Sequence, residues 1–322
     1  MNDWLIFKGN NAPDEQAIDH LPSPPKWRRF PPSGIRGKNY ICSEEEKQMV
    51  NAALYLRRPL LITGKPGTGK TSLAYAVAAE LVLGNVLYWP ITTRTRLQDG
   101  LYGYDAIGRL QDVQLIKLEA NLTGDKEARI SNLPDIGKYI RLGPLGTAFL
   151  PSKKPRVLLI DEIDKSDIDL PNDLLNIFEE GWFEIPELSR LSQKRKTVHV
   201  APYDNRQAQV SIEEGIVSCE AFPLVIMTSN GERELPGPFL RRCLRLDIPE
   251  PGPDKLKRII QAHFKEKPEK WADLIETFIE RGEQGDLSSD QLLNAIYLTT
   301  QQVPVKDIQS LKEAIFRYLS SV

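Results

Sequence analysis

Cysteine and histidine are both scarce in this chain of 322 residues, which contains three of each. The cysteines are odd in number, far apart and never in C-x-x-C spacing (Cys42, Cys219 and Cys243). They argue against a disulfide framework and against a structural zinc site, and they fit a reducing compartment. The histidines show no ligand spacing, so the sequence predicts no histidine-based metal site.

An excess of charge of one sign is also missing, as is any apolar run of membrane-spanning length. Basic and acidic residues number 42 and 44, for a formal net charge of −2. No overall field therefore draws the protein to nucleic acid or to an anionic membrane, and such binding would have to be local. No apolar run approaches the ~20 residues of a membrane span, and the first residues do not form a targeting signal. We expect a cytoplasmic protein without membrane insertion.

The N-terminal part of the chain reads as an arm that leads into a helix and a strand. Prolines interrupt every regular pattern in residues 10–36, which predicts that residues 1–36 form an arm or linker. Ser43, followed by three glutamates, has the form of a helix N-terminus. This helix should run to about Leu56, ahead of a buried strand at 59–63.

What the chain does contain is a glycine-rich loop between a predicted strand and a predicted helix. Residues 64–71 carry the full pattern G-x-x-x-x-G-K-[ST] after an apolar run and before an alanine-rich stretch. In such a loop the backbone N–H groups point inward at phosphate oxygens, and the helix N-terminus adds its dipole. The bland alternative is a glycine-rich turn that only caps a helix. We expect a nucleoside-phosphate site formed by Gly64, Lys65, Pro66, Gly67, Thr68, Gly69, Lys70, Thr71 and Ser72.

Two of these residues have specific expected roles. Lys70 should reach the β- and γ-phosphates, and the hydroxyl of Thr71 should ligate magnesium.

A second motif supports this interpretation, because the apolar residues 157–160 are followed by Asp161 and Glu162. A buried parallel strand would deliver both carboxylates to the edge where α/β sheets bind ligands. Asp161 would then hold magnesium, usually through its waters, and Glu162 would polarise the attacking water; alone, the pair could equally be surface acids at a strand end.

A third motif is the stretch 224–230, which begins with four apolar residues, predicts another buried strand and ends in Asn230. An amide in this place can hydrogen-bond the attacking water or the γ-phosphate, although Asn230-Gly231 is also a common turn sequence. About ten residues later come Arg241 and Arg242. Phosphoryl transfer gains from a guanidinium supplied by a neighbouring subunit, whereas paired arginines are more often solvated surface charge.

Taken together, these motifs resemble those of a MoxR-type AAA+ ATPase, over roughly residues 35–315. The family has the loop at 64–71, a Walker-B pair at Asp161 and Glu162, a sensor-1 asparagine at Asn230 and an arginine finger at Arg241 or Arg242. It also has an insertion, which matches residues 92–150, and a β-hairpin before the sensor-1 strand, which matches residues 195–222. One departure is that the stretch 287–292 lacks the second sensor arginine that many members carry, and Arg281 is a weak substitute.

The resemblance implies an α/β fold, with an αβα P-loop NTPase core at 37–250 and a small all-α lid at 251–322. It also implies ATP and Mg²⁺ as ligands, and a ring of self-associated subunits, expected to be a hexamer. The expected role is ATP-driven remodelling of a protein substrate or adaptor, in some cases a von Willebrand A domain protein.

Two alternatives remain open at the level of sequence. The first is a nucleic-acid-associated motor similar to Mcr-type restriction rings, although the near-neutral charge disfavours nucleic acid as a partner. The second is a nucleotide-gated scaffold in a bacterial defence or signalling system, although the acid pair and the paired arginines favour hydrolysis.

Overall fold

A computed structural model describes residues 5–11, 13–28, 37–123, 134–282, 287–301 and 315–316. Parts of the predicted arm, insertion and lid, among them residues 29–36, therefore lie outside the described residues. The chain divides into two compact units. One comprises Glu45–Thr63 and Leu81–Leu246, and the other comprises Met1–Glu44, Gly64–Glu80 and Asp247–Val322.

Strands and helices alternate over the first part of the chain, four strands then follow one another in succession, and three helices end the described order. The strands are β1 (Leu60–Thr63), β2 (Leu87–Pro90), β3 (Tyr102–Tyr104), β4 (Ile140–Leu142), β5 (Val157–Asp161), β6 (Trp182–Glu184), β7 (Thr197–Val200), β8 (Val210–Glu213), β9 (Ile216–Ser218), β10 (Leu224–Ser229) and β11 (Leu244–Asp247). The helices are α1 (Glu44–Leu56), α2 (Lys70–Glu80), α3 (Leu97–Leu101), α4 (Ala106–Thr123), α5 (Pro144–Ala148), α6 (Asp169–Glu180), α7 (Pro186–Ser189), α8 (Gly237–Arg242), α9 (Pro253–Phe264), α10 (Ala272–Gly282) and α11 (Ser289–Thr300).

A five-stranded sheet in the order β11-β1-β10-β5-β2 forms the centre of the first unit. β10 pairs in parallel with β1 and with β5, and β5 pairs in parallel with β2. Every residue of β10 is buried, as are the apolar residues of β1 and β5. Continuous apolar runs of this kind are expected of parallel strands covered on both faces. The predicted α/β fold class is confirmed.

Two smaller antiparallel arrangements accompany this sheet. β7 pairs with β8, and the sheet continues through β9 to β6. Side chains along β7 alternate between exposed and buried, so only one face of this sheet contributes to the core. The glycine-marked segments of the insertion meet each other, since Tyr102 of β3 lies opposite Leu142 of β4.

The other unit contains the C-terminal helices, whose apolar faces form a core of their own. Buried residues of α9, α10 and α11 include Ile260, Ile275 and Ile296. The described arm packs on this core through Trp27, whose ring lies edge-on to Phe264 and whose Nε1 donates to Asn294 Oδ1 at 3.0 Å. The helices fit the predicted lid. Among the described residues, no helix combines the length and apolarity needed to cross a bilayer.

Close backbone approach explains several glycines around α5. A Cβ added to Gly146 would lie 2.0 Å from the main-chain oxygen of Leu101 and 3.1 Å from the ring of Phe183. At Gly103, by contrast, an added Cβ would meet nothing within 4 Å. The packing of α5 against α3 therefore requires a residue without a side chain at position 146.

We predict that Gly146→Ala lowers the free energy of unfolding by about 1–3 kcal/mol, as is usual for an overpacked core. Helix propensity alone would act in the opposite direction by up to about 1 kcal/mol. Denaturant titration followed by circular dichroism measures the difference, and Gly103→Ala is the matched control, with an expected change within about 0.5 kcal/mol. A stabilised Gly146→Ala variant would show that α5 does not approach α3 this closely.

Candidate nucleotide site

The glycine-rich loop begins where β1 ends and finishes in the first turn of α2. Its three glycines have φ of +146° at Gly64, +79° at Gly67 and +96° at Gly69. Residues with a Cβ rarely adopt this region, so each glycine is required by the backbone and not only tolerated. Thr71 and Ser72 follow in the first turn of α2, where both are half-buried.

Lys70 lies inside the loop that precedes it. Its side chain is 7% exposed, and its Nζ donates to the main-chain oxygens of Gly64 at 2.5 Å and Lys65 at 2.8 Å. The loop thus wraps around the ammonium group. Phosphate oxygens are charged and accept hydrogen bonds more strongly than carbonyl oxygens do. A phosphate that enters the loop would therefore compete well for this lysine.

The loop also contacts the C-terminal helices within its own compact unit. A Cβ on Gly67 would lie 2.3 Å from Cβ of Ser288, the residue that caps α11. Lys65 Nζ lies 3.1 Å from a carboxylate oxygen of Glu250. The stretch that lacks the second sensor arginine is therefore in direct contact with the glycine-rich loop.

In the other unit, Asp161 ends β5 between two neighbouring strands that each supply a hydroxyl. Thr228 of β10 donates to Oδ1 at 2.7 Å, and Tyr88 of β2 donates to Oδ2 at 3.1 Å. Tyr88 lies opposite Leu159, two residues before Asp161, so its side chain points to the same face of the sheet and reaches Asp161 with its phenol group. Both carboxylate oxygens are therefore oriented by neutral donors.

Glu162 follows in a left-handed conformation, with φ of +61°. Its main-chain N–H donates to Thr228 Oγ1 at 2.8 Å, so the same hydroxyl serves both acidic residues. Its carboxylate is bound by Lys165 Nζ at 2.7 Å and by Asn230 Nδ2 at 3.3 Å. The hydrogen bond to Glu162, helped by its charge, raises the pKa of Lys165 despite partial burial of the lysine.

Asn230 therefore meets Glu162 through its side chain and also lies in a turn, because Gly231 has φ of +78°. The turn is held by Asp164, which is 1% exposed. Its Oδ2 accepts from the main-chain N–H groups of Asn230 and Glu232, both at 3.0 Å. The two readings of Asn230 at the level of sequence are thus compatible.

Arg241 and Arg242 end the short helix α8, and the structure distinguishes them. The guanidinium of Arg242 pairs with Glu179 of α6. The side chain of Arg241 is exposed and has no hydrogen bond or ion pair with the described residues. Arg58 donates to the main-chain oxygens of Arg242 at 3.0 Å and Arg241 at 2.5 Å, which satisfies carbonyl groups at the helix end.

The donor set of the acidic region suits magnesium better than a softer metal. The described part of the chain holds no group of three or more histidine, cysteine or acidic side chains arranged around one point. Magnesium bound with a nucleotide needs only one or two protein oxygens, since water and phosphate supply the rest. The Asp161 carboxylate is an oxygen donor of this kind.

The sequence motifs did not include four side chains that lie near the acid pair. Lys165 and Asp164 follow Glu162 closely along the chain, but nothing in their spacing indicates which of them turns toward Asn230. Thr228 and Tyr88 come from two different strands, and only the strand order brings their hydroxyl groups to Asp161. A search for polar side chains near the ends of apolar runs could have listed both residues, but it could not have predicted that they share Asp161 as a partner.

Comparison with known proteins adds one positive finding. The chain has no match among curated proteins. The family model described as AAA domain (dynein-related subfamily) matches residues 59–243, which is more than half of the chain. The match includes the glycine-rich loop, the acid pair and Asn230, and it supports a nucleotide-hydrolysing ATPase. The chain therefore belongs to the AAA domain family, in its dynein-related subfamily.

Proposed function

We propose that this protein is a ring-forming, MoxR-like AAA+ ATPase that hydrolyses ATP to remodel or activate partner proteins. The observation that carries the proposal is the contact between Glu162 and Asn230, whose carboxylate and amide meet at 3.3 Å. A base and a neutral hydrogen-bonding group, held together at the ends of β5 and β10, can orient and deprotonate one water molecule. This is the requirement for in-line attack on a γ-phosphate.

The residues of the chain divide the chemical work as follows. The loop N–H groups and Lys70 bind the phosphates and neutralise their charge. Glu162 accepts the proton of the attacking water after its carboxylate turns from Lys165 toward that water. Magnesium, held by Thr71 and Asp161, would neutralise charge on the β- and γ-phosphate oxygens.

Arg241 is our candidate for the arginine finger. Arg242 is engaged with Glu179, whereas Arg241 is exposed at the end of α8. A guanidinium that projects from one subunit can bind the equatorial oxygens of a γ-phosphate in the next. A closed ring of head-to-tail contacts presents such a group at every interface.

Helix α4 supports the proposal of a protein partner. Four large apolar side chains are exposed along it, in two i, i+3 pairs (Ile107, Leu110, Leu115 and Leu118). By helical periodicity they fall on one side of the helix. An apolar stripe of this kind on a solvent-facing helix is typical of a protein contact and not of a nucleic-acid contact, which would need Lys and Arg.

We predict that binding and turnover separate in two variants. Glu162→Gln should bind ATP normally but hydrolyse it at least about 100-fold more slowly, because an amide cannot accept the proton. Lys70→Ala should lose binding, because it removes the cation wrapped by the loop. Calorimetry measures binding and phosphate release measures turnover.

Matched controls are Glu180→Gln on α6 and Lys257→Ala on α9, since both side chains are exposed. Wild-type turnover in Glu162→Gln would place the base elsewhere, and tight ATP binding by Lys70→Ala would contradict the phosphate loop. A wild-type protein that binds ATP without turnover would favour the nucleotide-gated scaffold.

We predict that Arg241→Ala lowers turnover by about 10³-fold and that mixing restores part of it. The mixed partner is Lys70→Ala, which is inactive for a different reason, so some interfaces regain an intact loop opposite an intact arginine. Wild-type turnover per subunit should also rise with protein concentration. Arg245→Ala, which removes an exposed arginine of β11, is the control.

Native mass spectrometry must first establish that mixed rings form. Mixed rings with no more ATPase than either parent would contradict action in trans by Arg241.

We predict that aspartate substitutions in the exposed apolar stripe of α4 abolish nucleotide-dependent partner binding. The Glu162→Gln variant serves as the bait, and its partners are the proteins that it retains with ATP and releases with ADP. A bait that also carries Ile107→Asp and Leu118→Asp should no longer retain them. Quantitative mass spectrometry of the retained proteins measures this, and circular dichroism checks folding. Lys117→Gln on the same helix is the control; equal retention by both variants would exclude the stripe as the partner surface.

A further inference from the structure

Two hydroxyl groups hold Asp161 from opposite sides, and neither belongs to the residues assigned above. Thr228 donates to one carboxylate oxygen at 2.7 Å and Tyr88 to the other at 3.1 Å. A carboxylate with a donor on each oxygen cannot rotate without losing one of them. Together the two donors fix the orientation of this carboxylate, as hydrogen bonds to a metal ligand do.

Thr228 has a second contact, with the neighbouring residue. Its Oγ1 accepts the main-chain N–H of Glu162 at 2.8 Å, and its side chain is 1% exposed, so water has little access to replace it. Glu162 has φ of +61°, which residues with a Cβ rarely adopt. The hydrogen bond to Thr228 stabilises this conformation, which aims the Glu162 carboxylate at Asn230 and Lys165.

We infer that Tyr88 and Thr228 are positioning residues for ATP hydrolysis: both orient Asp161 toward magnesium, and Thr228 also sets the backbone of Glu162. The inference rests on the proposed function, since it takes Asp161 as the metal ligand and Glu162 as the base. Two different defects follow. Loss of the Tyr88 hydroxyl affects the metal only, whereas loss of the Thr228 hydroxyl affects both the metal and the base.

The test compares ATP affinity with Mg²⁺ and with EDTA, by calorimetry on the full chain, in Tyr88→Phe, Thr228→Val and Thr228→Ser. Outer hydrogen bonds to a metal ligand typically contribute 10–100-fold to metal affinity. We expect the gain in affinity from Mg²⁺ to fall about tenfold in Tyr88→Phe and Thr228→Val, with ATP affinity in EDTA unchanged. At saturating Mg²⁺, kcat should recover in Tyr88→Phe but stay at least about tenfold low in Thr228→Val.

Thr228→Ser keeps the hydroxyl, so the gain in ATP affinity from Mg²⁺ and the kcat at saturating Mg²⁺ should both stay within about threefold of wild type. Tyr203→Phe is the matched control, because its hydroxyl donates at 3.0 Å to the main-chain oxygen of Tyr88 and not to Asp161. It should leave the Mg²⁺ dependence unchanged. If Thr228→Val does not fold, Tyr88→Phe and Thr228→Ser still carry the test.

The inference is overturned if Tyr88→Phe, folded by its thermal midpoint, keeps the wild-type gain from Mg²⁺. It is also overturned if Tyr203→Phe loses as much of the Mg²⁺-dependent gain in ATP affinity as Tyr88→Phe does. The lower gain would then reflect a general disturbance of β2 and not the hydrogen bond to Asp161. A wild-type protein whose ATP binding does not respond to Mg²⁺ would instead refute the proposed function, and the inference with it. The wild-type measurement therefore distinguishes the two failures.

Discussion

The parallel pairing of β5 between β10 and β2 is the constraint on which the acidic region depends. Ile160 lies opposite Met227 on one side and Trp89 on the other, so the residues that follow in each strand arrive at one edge together. A shift of one residue in either pairing would turn the polar groups to the opposite face. Such a shift is unfavourable, because the buried hydroxyl of Thr228 would lose Asp161 as its hydrogen-bond partner.

Much of this arrangement could be predicted from the sequence. The strands ahead of the glycine-rich loop, Asp161 and Asn230 each begin with at least three consecutive apolar residues, which predicts a buried strand. The three glycines of the loop are equally informative, since their spacing matches the positions where φ is positive. Local patterns were sufficient wherever the physical requirement is itself local.

Other features could not be predicted, because they depend on which elements become neighbours. Nothing near Arg242 in the sequence points to Glu179, which is 63 residues away. The difference between the two arginines therefore needed the packing of α8 on α6. The hydroxyls of Tyr88 and Thr228 depend in the same way on strand order, since either residue alone reads as an ordinary member of an apolar strand.

The contact of the glycine-rich loop with Glu250 and Ser288 has a consequence for synthesis of the protein. A chain is made from its N-terminus, so the loop leaves the ribosome long before the helices that share its compact unit. Lys65 lacks its partner until Glu250 has emerged, and Gly67 lacks its neighbour until Ser288 has emerged. The glycine-rich loop therefore gains these contacts late, and in an incomplete chain it is not yet supported by the C-terminal part of its own compact unit.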